Sequence, residues 1–480
     1  MADTTTTNLL LTKPEVGSST DTWGGKINAD LDSVDAVFAA AGTGTSVGLN
    51  IGSGKKLKLV GDVIDTNGNE LLKVTATASA VNEVTLANAA TGNAPTMTAS
   101  GDDTNIGFKL VAKGTGEVTA KVNGSDVFNA SSSFGFKNRI INGAMVIDQR
   151  NAGASVSGTS AVYTVDRWAV QNNSGAARFN VQQNVNSVTP PAGYNYYLGV
   201  TSTSAYTVVS TDVIGINQFI EGYNIADLAW GTASAAPVAF SFWVRSSLTG
   251  TFGGSLIEAN AGTAFYPFTY TISVANTWEQ KTVTIAGPTI GTWNSTNARG
   301  IQVLFNLGTG STYIGAAGSW TTNSYYAATG ATNFVATNAA TWYVTGVQLE
   351  KGSTATSFDY RSYGTELALC QRYCQVNGGV VSNQLLSISW AYSTTAAIAA
   401  CLLPVPMRAT PSLSYSAVGD WAVFNGGAGG PYTCTSIALN RASPTSLALE
   451  FVASTLTAGQ AGAVLANNTT NAKLILSAEL

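Results

Sequence analysis

Histidine is absent from this chain of 480 residues, and its absence restricts the chemistry available to the protein. Nucleophilic arrangements of the Ser-His-Asp and Cys-His kinds, histidine-assisted proton transfer and the common zinc hydrolase sites are excluded. A pair of carboxylates, as in glycosidases, is the catalytic arrangement that remains. The sequence alone does not bring two acids to the required separation, so we expect no enzymatic activity, no metal and no cofactor.

Charged residues are scarce as well, at 10% of the chain with a net charge of −4. Lys and Arg occur singly except at Lys55, Lys56 and Lys58, whereas binding to a phosphate backbone needs several clustered cations. We therefore expect no nucleic-acid partner. Low charge with abundant Gly, Thr, Ser and Asn indicates β-structure with neutral polar faces. Disordered chains combine high net charge with few apolar residues, and this chain does not.

Cysteine is scarce, and long apolar runs are lacking. The longest apolar stretch, Ala396–Val405, is shorter than the ~20 residues of a membrane span and contains Pro404, so we expect no membrane insertion. The start, MADTTTTNLL, has neither the basic nor the apolar segment of a signal peptide, and we expect synthesis in a reducing compartment such as the cytoplasm. Too few cysteines are present for a disulfide scaffold or a zinc site, and we expect free thiols, buried or half-buried. The cysteines are Cys370, Cys374, Cys401 and Cys434.

Aromatic residues are distributed unevenly along the chain. Arginine first occurs at Arg139 and tyrosine at Tyr163, and Trp23 is the only tryptophan before Trp168. A globular core normally needs large aromatic anchors. The first ~135 residues therefore lack the composition of an independent monomeric domain, whereas the remainder has it.

Residues 1–41 are interpreted as an anchor. Apolar residues at helical spacing predict one short helix in this segment: Ile27, Leu31, Val34, Val37 and Phe38. A helix of about three turns is marginal alone in water, so a bundle or a docking groove would stabilise it. The alternative is a loosely ordered tail carrying a short surface helix.

Residues 42–135 show period-two hydrophobicity in short stretches such as LKLVGDVID and NEVTLANAA. Turn signals such as Asn67-Gly68 and Gly101-Asp102 separate these stretches, and two units hint at a weak internal repeat. Isolated strands of this kind cannot bury a face. We therefore expect a β-rich shaft that is stabilised by other chains.

Residues 136–364 contain dense strand patterns between polar turns and predict a head formed by an antiparallel sandwich or jelly roll. In VAFSFWVRSS, Phe240, Phe242 and Val244 are expected on one side, opposite Trp243 and Arg245. A connecting helix is predicted over 365–375, with Asp359 and Arg361 and the pair Glu366–Arg372 as structural ion pairs around it. Residues 376–480 alternate cleanly and predict a smaller C-terminal β-domain. The predicted fold is therefore mostly β.

Aromatic side chains in polar, Gly-rich loops are the candidate ligand contacts, because burial in a core does not explain their position. The three clusters are Trp320 with Asn323, Tyr325 and Tyr326; Trp421 with Asn425 and Tyr432; and Tyr194 with Asn195 and Tyr196. For each cluster the alternative is a loop anchored by its own aromatic side chains. Trp168, Trp243 and Trp342 lie in strand patterns and are expected in the core or between subunits.

The N-terminal segment TKPEVGSSTDTWGGKINADLDSVDAVF closely resembles the N-terminal segment of many bacteriophage tail-fibre proteins. Lys13, Pro14, Trp23, Gly24 and Asn28 occur at the spacing found in that family. The resemblance implies that this end is proximal to the virion. It also implies that these residues contribute to anchoring on phage tail or adaptor proteins.

The resemblance extends along the chain. The stretch NEVTLANAATGNAPTMTASGDDTNIGFKLVAKGTGEV is similar to shaft segments of phage fibres, and LPVPMRATPSL resembles their terminal portions. The half of the chain from NRIINGAMVIDQR to VTGVQLEKGSTATSFDYRSYGTELALCQRY is similar to a recurrent phage tail module, whose sandwich resembles jelly-roll carbohydrate-binding modules. The resemblance implies an elongated homotrimeric fibre on the virion. Such a tail fibre would attach to a host surface polysaccharide or lipopolysaccharide.

Two other functions remain open. A structural collar or capsid-decoration fibre would use the same β-domains without a receptor. A glycan-degrading tailspike would need a carboxylate pair in a groove. Phage depolymerases usually resemble long parallel β-helices with repeating coils, and no such period occurs here, so this last function is the least favoured.

Overall fold

The computed structural model describes residues 4–5, 12–13, 21–35, 63–65, 67–73, 75, 77–113, 118–122, 125–129, 137–425 and 430–480. The chain divides into two units, Met1–Val111 and Ala112–Leu480. β-Strands account for most of the regular structure, as the composition predicts.

In its described residues, the first unit has one helix and three two-stranded antiparallel pairs, β1 with β2, β3 with β4 and β5 with β6. Its elements are β1 (Thr4–Thr5), β2 (Thr12–Lys13), α1 (Trp23–Asp35), β3 (Val63–Ile64), β4 (Glu70–Leu72), β5 (Asn82–Ala87) and β6 (Thr96–Gly101). The predicted N-terminal helix is present over Trp23–Asp35, whereas the predicted helical positions Val37 and Phe38 lie outside the described residues. Trp23 and Leu31 on this helix are more than half exposed.

The hairpins of this unit leave their apolar side chains exposed. Val84, Leu86 and Met97 of the β5–β6 pair are each more than half exposed, so this two-stranded ribbon buries no face. The predicted turn at Asn67-Gly68 is confirmed: Gly68 has a φ of +83°. Asp65 accepts the backbone N–H groups of Asn67 and Asn69, and these hydrogen bonds lower the pKa of its carboxyl group.

The second unit begins with a hairpin and continues into a sandwich of two antiparallel sheets. The strands are β7 (Thr119–Val122), β8 (Ser125–Asn129), β9 (Val156–Ser157), β10 (Ala169–Asn172), β11 (Phe179–Gln183), β12 (Leu198–Ser202), β13 (Val213–Glu221), β14 (Val238–Ser246), β15 (Gly250–Glu258), β16 (Phe265–Ile272), β17 (Glu279–Ile285), β18 (Arg299–Thr309), β19 (Ile314–Gly315), β20 (Ala327–Ala328) and β21 (Thr341–Lys351). One sheet has the order β10-β13-β18-β15-β16 and the other β17-β14-β21-β12-β11-β9. β19 and β20 form a short parallel pair.

Alternation along β14 shows why these residues form a sandwich. Phe240, Phe242 and Val244 are fully buried between the sheets, whereas Trp243 and Arg245 on the opposite face are half-buried. The predicted orientation of this strand is confirmed. Trp168 and Trp342 are also fully buried in the core, in agreement with their strand positions.

The outer face of the five-stranded sheet is covered as well. Nearly every residue of β18 is buried, not only alternate ones. Leu304 lies in a small apolar cluster with Tyr313 and Tyr326 of the loop between β18 and β21. A second cluster joins Ile141 to Tyr373. These two clusters cover part of the outer face of this sheet.

A helix and a closed barrel follow the sandwich. The elements are α2 (Tyr363–Gln371), β22 (Cys374–Gly378), β23 (Leu385–Ala391), β24 (Ala396–Leu402), β25 (Ser412–Tyr415), β26 (Trp421–Asn425), β27 (Tyr432–Ala442), β28 (Ser446–Ala453), β29 (Ala461–Ala466) and β30 (Lys473–Ser477). The barrel order is β23-β24-β28-β27-β26-β29, and β22, β30 and β25 form a separate sheet. The helix ends before the predicted residue 375, because the chain enters β22 at Cys374.

Single 3₁₀ turns connect several of these elements. They lie at Val185–Ser187, Gly222–Asn224, Ala226–Leu228, Ser311–Tyr313, Phe334–Ala336 and Val418–Asp420.

Ion pairs join the barrel side of the unit to the sandwich. Glu221 of β13 accepts hydrogen bonds from Arg372, at 2.9 and 2.5 Å, and from the Tyr373 hydroxyl at 2.6 Å. The predicted pair Glu366–Arg372 is wrong, since Glu366 contacts Arg361 instead. Positions six residues apart on a helix point roughly 240° apart, and Arg372 is already beyond the end of α2.

All four cysteines are free thiols, as predicted. Cys370, Cys374 and Cys434 are buried, and Cys401 is partly exposed. Burial raises the pKa of each thiol, that of Cys434 to about 12. Thiols in this state are poor nucleophiles.

Candidate ligand-binding cavity

A cavity of about 400 Å³ lies where three segments of the second unit meet. The segments are 138–146 before the sandwich, 193–196 between β11 and β12, and 358–366, which runs from the loop after β21 into α2. The cavity includes one of the three predicted clusters, that of Tyr194, Asn195 and Tyr196. Its volume falls within the range of small-molecule sites.

Aromatic rings form one wall of this cavity. The ring centroids of Tyr194 and Phe358 are 5.4 Å apart, those of Tyr194 and Tyr360 are 5.6 Å apart, and those of Phe358 and Tyr360 are 4.9 Å apart. Burial and a hydrogen bond with Tyr360 raise the pKa of Tyr194. The wall is therefore uncharged and consists of rings that support one another.

Two glycines allow this wall to form. The Tyr360 hydroxyl donates a hydrogen bond of 3.0 Å to the carbonyl oxygen of Gly193, which has a φ of +90°. Gly346 of β21 has a φ of +61°, and a methyl group there would lie 2.6 Å from the Tyr194 oxygen. A side chain at Gly346 would therefore displace the Tyr194 ring.

Charged groups also line the cavity. The Arg361 guanidinium donates to the carbonyl oxygens of Ile140, at 3.2 Å, and Asn138. It also lies 3.4 Å from a carboxylate oxygen of Glu366 and 3.6 Å from Asp359 Oδ2. Arg361 thus fixes both carboxylates and the start of the sandwich segment in one arrangement.

Buried polar side chains of β21 hold the loop that carries Phe358 and Asp359. Gln348 accepts the Asp359 backbone N–H at 2.8 Å and donates to Glu350 at 2.8 Å. Glu350 in turn accepts the backbone N–H of Thr356 at 2.8 Å and its hydroxyl at 2.7 Å. The geometry of the loop therefore depends on two side chains that do not line the cavity.

Sequence reasoning missed the 358–361 side of the site. Asp359 and Arg361 were interpreted only as a structural ion pair, although the run FDYR alternates aromatic and charged residues in the loop that follows the last strand of the sandwich. This alternation in a loop was the available signal. It did not indicate a partner 164 residues earlier in the chain.

The cluster around Trp320 is anchored within the protein. The Trp320 ring contacts Trp230 and Trp293, both at 5.5 Å between centroids, and its indole N–H donates to the Ala286 carbonyl at 2.7 Å. Tyr326 packs edge-on against Phe265 at 5.4 Å. Tyr325 is half-buried beside Gly315, and Asn323 is exposed. The loop is therefore held by aromatic residues from other segments of the sandwich.

The prediction for the cluster of Trp421, Asn425 and Tyr432 is corrected in part by the structure. Trp421 and Asn425 are each only 1% exposed, because β26 begins at Trp421 and its alternate residues point into the barrel. Neither residue is presented to a ligand. Tyr432 is half-buried at the start of β27. Residues 426–429 of this loop lie outside the described residues.

The predicted anchoring residues belong to the first unit. Lys13 ends β2, while Trp23, Gly24 and Asn28 lie on α1 with exposed side chains or backbone. Pro14 lies outside the described residues. Their role in anchoring remains a prediction.

Within the described part of the chain, no group of three or more Cys, Asp or Glu side chains could hold a metal ion. No helix in that part is long and apolar enough to cross a membrane.

No protein-family model matches the chain, and no curated protein matches it. Among solved structures, a domain of bacteriophage CBA120 tailspike protein 4 matches at 11% identity, over 45% of this chain and 21% of its own, with a TM-score of 0.26. A putative sugar-binding protein of Bacteroides thetaiotaomicron matches at 12% identity, over 45% of this chain and 100% of its own, with a TM-score of 0.29. The module TmCBM61, solved with β-1,4-galactotriose, matches at 11% identity over 45% and 100%, with a TM-score of 0.21.

The present chain thus spans about a fifth of the tailspike chain that it matches. Similarities at these TM-scores do not decide the function of this protein. The proposal for its function is therefore based on the residues that line the cavity.

Proposed function

We propose that this protein is a bacteriophage tail fibre that attaches the virion to a glycan on the host cell surface. The observation that carries the proposal is the cavity, which combines the rings of Tyr194, Phe358 and Tyr360 with Asp359 and the amide of Asn195. Sugars present apolar faces rimmed by hydroxyl groups. The aromatic rings suit the apolar faces, and the carboxylate and amide groups suit the hydroxyl groups. The N-terminal sequence resemblance supports placement on the phage virion, with Lys13, Pro14, Trp23, Gly24 and Asn28 anchoring it to tail or adaptor proteins.

Binding rather than hydrolysis is the proposed activity. Glycoside hydrolysis uses two carboxylates with separate roles on the scissile bond. In this cavity Asp359 and Glu366 both contact the same guanidinium group, that of Arg361. That arrangement suits a rigid binding wall.

The fibre is proposed to be a homotrimer, so that weak sites act together. Exposed apolar side chains on the barrel support self-association: Ile388 is 73% exposed, Trp390 54% and Leu402 86%. Three linked copies convert the second and third binding events into intramolecular ones, which raises avidity without any new contact.

The test is binding of the purified full chain to host cells and to their extracted surface polysaccharide, in competition with intact phage. Saturable binding that blocks adsorption is expected. Tyr360→Ala should weaken it by about tenfold, in line with the loss of a central aromatic contact. Tyr223→Ala is a matched control, because Tyr223 is 61% exposed and Tyr360 60%, and Tyr223 lies outside the cavity.

A structural virion fibre without a receptor is the second candidate. Burial of Trp421 and Asn425 favours it, since it removes a predicted contact from the barrel. Absence of binding by a correctly assembled protein would support this candidate. Release of oligosaccharide from the polysaccharide would instead show a degrading tailspike.

A further inference from the structure

We infer that the cavity selects an uncharged glycan and discriminates against acidic ones; this inference rests on the proposed function. Among the residues that line the cavity, Asp359 and Glu366 carry negative charge and Arg361 carries the positive charge. The lining therefore has one net negative charge. An acidic sugar would enter against it.

The lining cation is already committed to the protein. Arg361 donates to the carbonyl oxygens of Asn138 and Ile140, and it pairs with both carboxylates. Its side chain is only 11% exposed. Recognition of a ligand carboxylate by arginine normally uses two parallel N–H donors. To offer two such donors to a ligand, Arg361 would have to give up contacts with these carbonyl and carboxylate oxygens.

The cation that precedes the lining residue Asn138 in the sequence, Lys137, also holds a contact within the protein. Lys137 Nζ donates a hydrogen bond of 2.5 Å to the Ser357 carbonyl oxygen. Farther away, Arg139 pairs with Asp227 at 2.7 Å. A ligand carboxylate would thus meet cations that already hold contacts within the protein.

Acceptors for a neutral ligand are available in the same place. Asp359 Oδ2 accepts the Asn138 backbone N–H at 3.3 Å and faces Arg361, while no described residue donates to Asp359 Oδ1. A sugar hydroxyl can donate to that oxygen as its apolar face contacts the aromatic wall. Hydrogen bonds to an ionised acceptor are the stronger kind.

The experiment uses the full chain and two oligosaccharides of equal length prepared from host polysaccharide. One oligosaccharide is neutral and the other contains uronic acid units. Calorimetry measures the affinity for each. The neutral form should bind about tenfold or more tightly, as expected for like-charge discrimination. Added salt should reduce the discrimination, because it screens the repulsion, and should leave the neutral affinity unchanged.

Asp359→Asn should bring the affinity ratio towards one while the aromatic wall still binds. Glu450→Gln is the control, since it removes one charge from the barrel and should leave the ratio unchanged.

Equal or tighter binding of the acidic form, or discrimination that salt does not reduce, would overturn the charge selection and leave the proposed function standing. Binding of neither form would overturn the proposed function itself. The salt series on the unaltered protein decides the matter even if Asp359→Asn fails to fold.

Discussion

Gly346 shows how a single residue shapes the cavity. Its φ of +61° is unfavourable for other residues, and a methyl group there would meet the Tyr194 oxygen at 2.6 Å. Gly346→Ala should lower the free energy of unfolding by about 1 kcal/mol through backbone strain. It should also weaken glycan binding by roughly 1–2 kcal/mol, because the Tyr194 ring must leave the wall. Denaturant titration and calorimetry measure the two effects.

The control for that substitution is Gly330→Ala. Gly330 has a φ of +83° and no atom within 4 Å of the added methyl group. It should show the strain without the loss of binding. If the two variants bind the glycan equally well, Tyr194 is not part of the binding wall.

Asp166 predicts a pH dependence of stability. Its side chain is buried and accepts hydrogen bonds from the backbone and side-chain N–H groups of Gln149. Burial is the main cause that raises the pKa of Asp166 from 3.8 to about 6. Between these values the folded chain holds this proton more tightly than the unfolded chain. The contribution of Asp166 to stability therefore falls as pH rises from about 4 to 6.

Asp166→Asn removes this titration. The free energy of unfolding of the variant, minus that of the unaltered chain, should increase between pH 4 and pH 6 by roughly 2 kcal/mol. Any hydrogen-bond loss at Gln149 adds a constant offset. Urea titrations at several pH values provide the measurement, and a difference that does not change with pH would contradict the expectation.

At the scale of elements, the loop after β21 is held by buried polar groups of that strand. Glu350→Gln should weaken the hydrogen bonds to Thr356, at a cost of about 1–3 kcal/mol. Amide hydrogen exchange in residues 352–361 should then accelerate, and glycan affinity should fall because Phe358 and Asp359 lose their position.

Glu258→Gln is the matched variant. Glu258 is likewise buried and accepts backbone N–H groups of the following turn, those of Asn260, Ala261 and Thr263. A similar loss of stability with unchanged glycan affinity is expected. Equal affinity losses in both variants would mean that the effect is general destabilisation rather than positioning of the loop.

Local patterns predicted the elements better than the site. Alternation in VAFSFWVRSS gave the buried face of β14, and YNYY beside Gly193 gave part of one wall of the cavity. The rest of that wall, at Phe358 and Tyr360, depends on a contact between distant segments that no local period encodes. Trp421 was assigned to a loop because glycines follow it, yet the strand continues to Asn425 and turns the ring inward. Closure of the barrel likewise depends on the pairing of β23 with β29, which is nonlocal.

At the scale of the whole molecule, the proposed trimer needs a surface, and the barrel offers one. A groove of about 570 Å³ runs over β23 and β24 between Ile388, Trp390, Ile398 and Ala461, and no charged residue lines it. Trp390 lies opposite Ile398 in the sheet register. An uncharged apolar surface fits an equally uncharged partner, and the same face of another copy is one.

Ile388→Glu places a charge in this groove and should shift the protein from trimer to monomer in sedimentation experiments. Because Ile388 is 73% exposed, the fold should tolerate the change. Val209→Glu is the control: Val209 is 52% exposed and lies on the sandwich.

The monomer should bind a short oligosaccharide as well as the unaltered chain does. Its binding to surface polysaccharide should be about 100-fold weaker, since avidity is lost. A trimer that survives Ile388→Glu would place the interface elsewhere, and an unaltered chain that is monomeric would refute the multivalent mechanism while leaving the cavity as a single binding site.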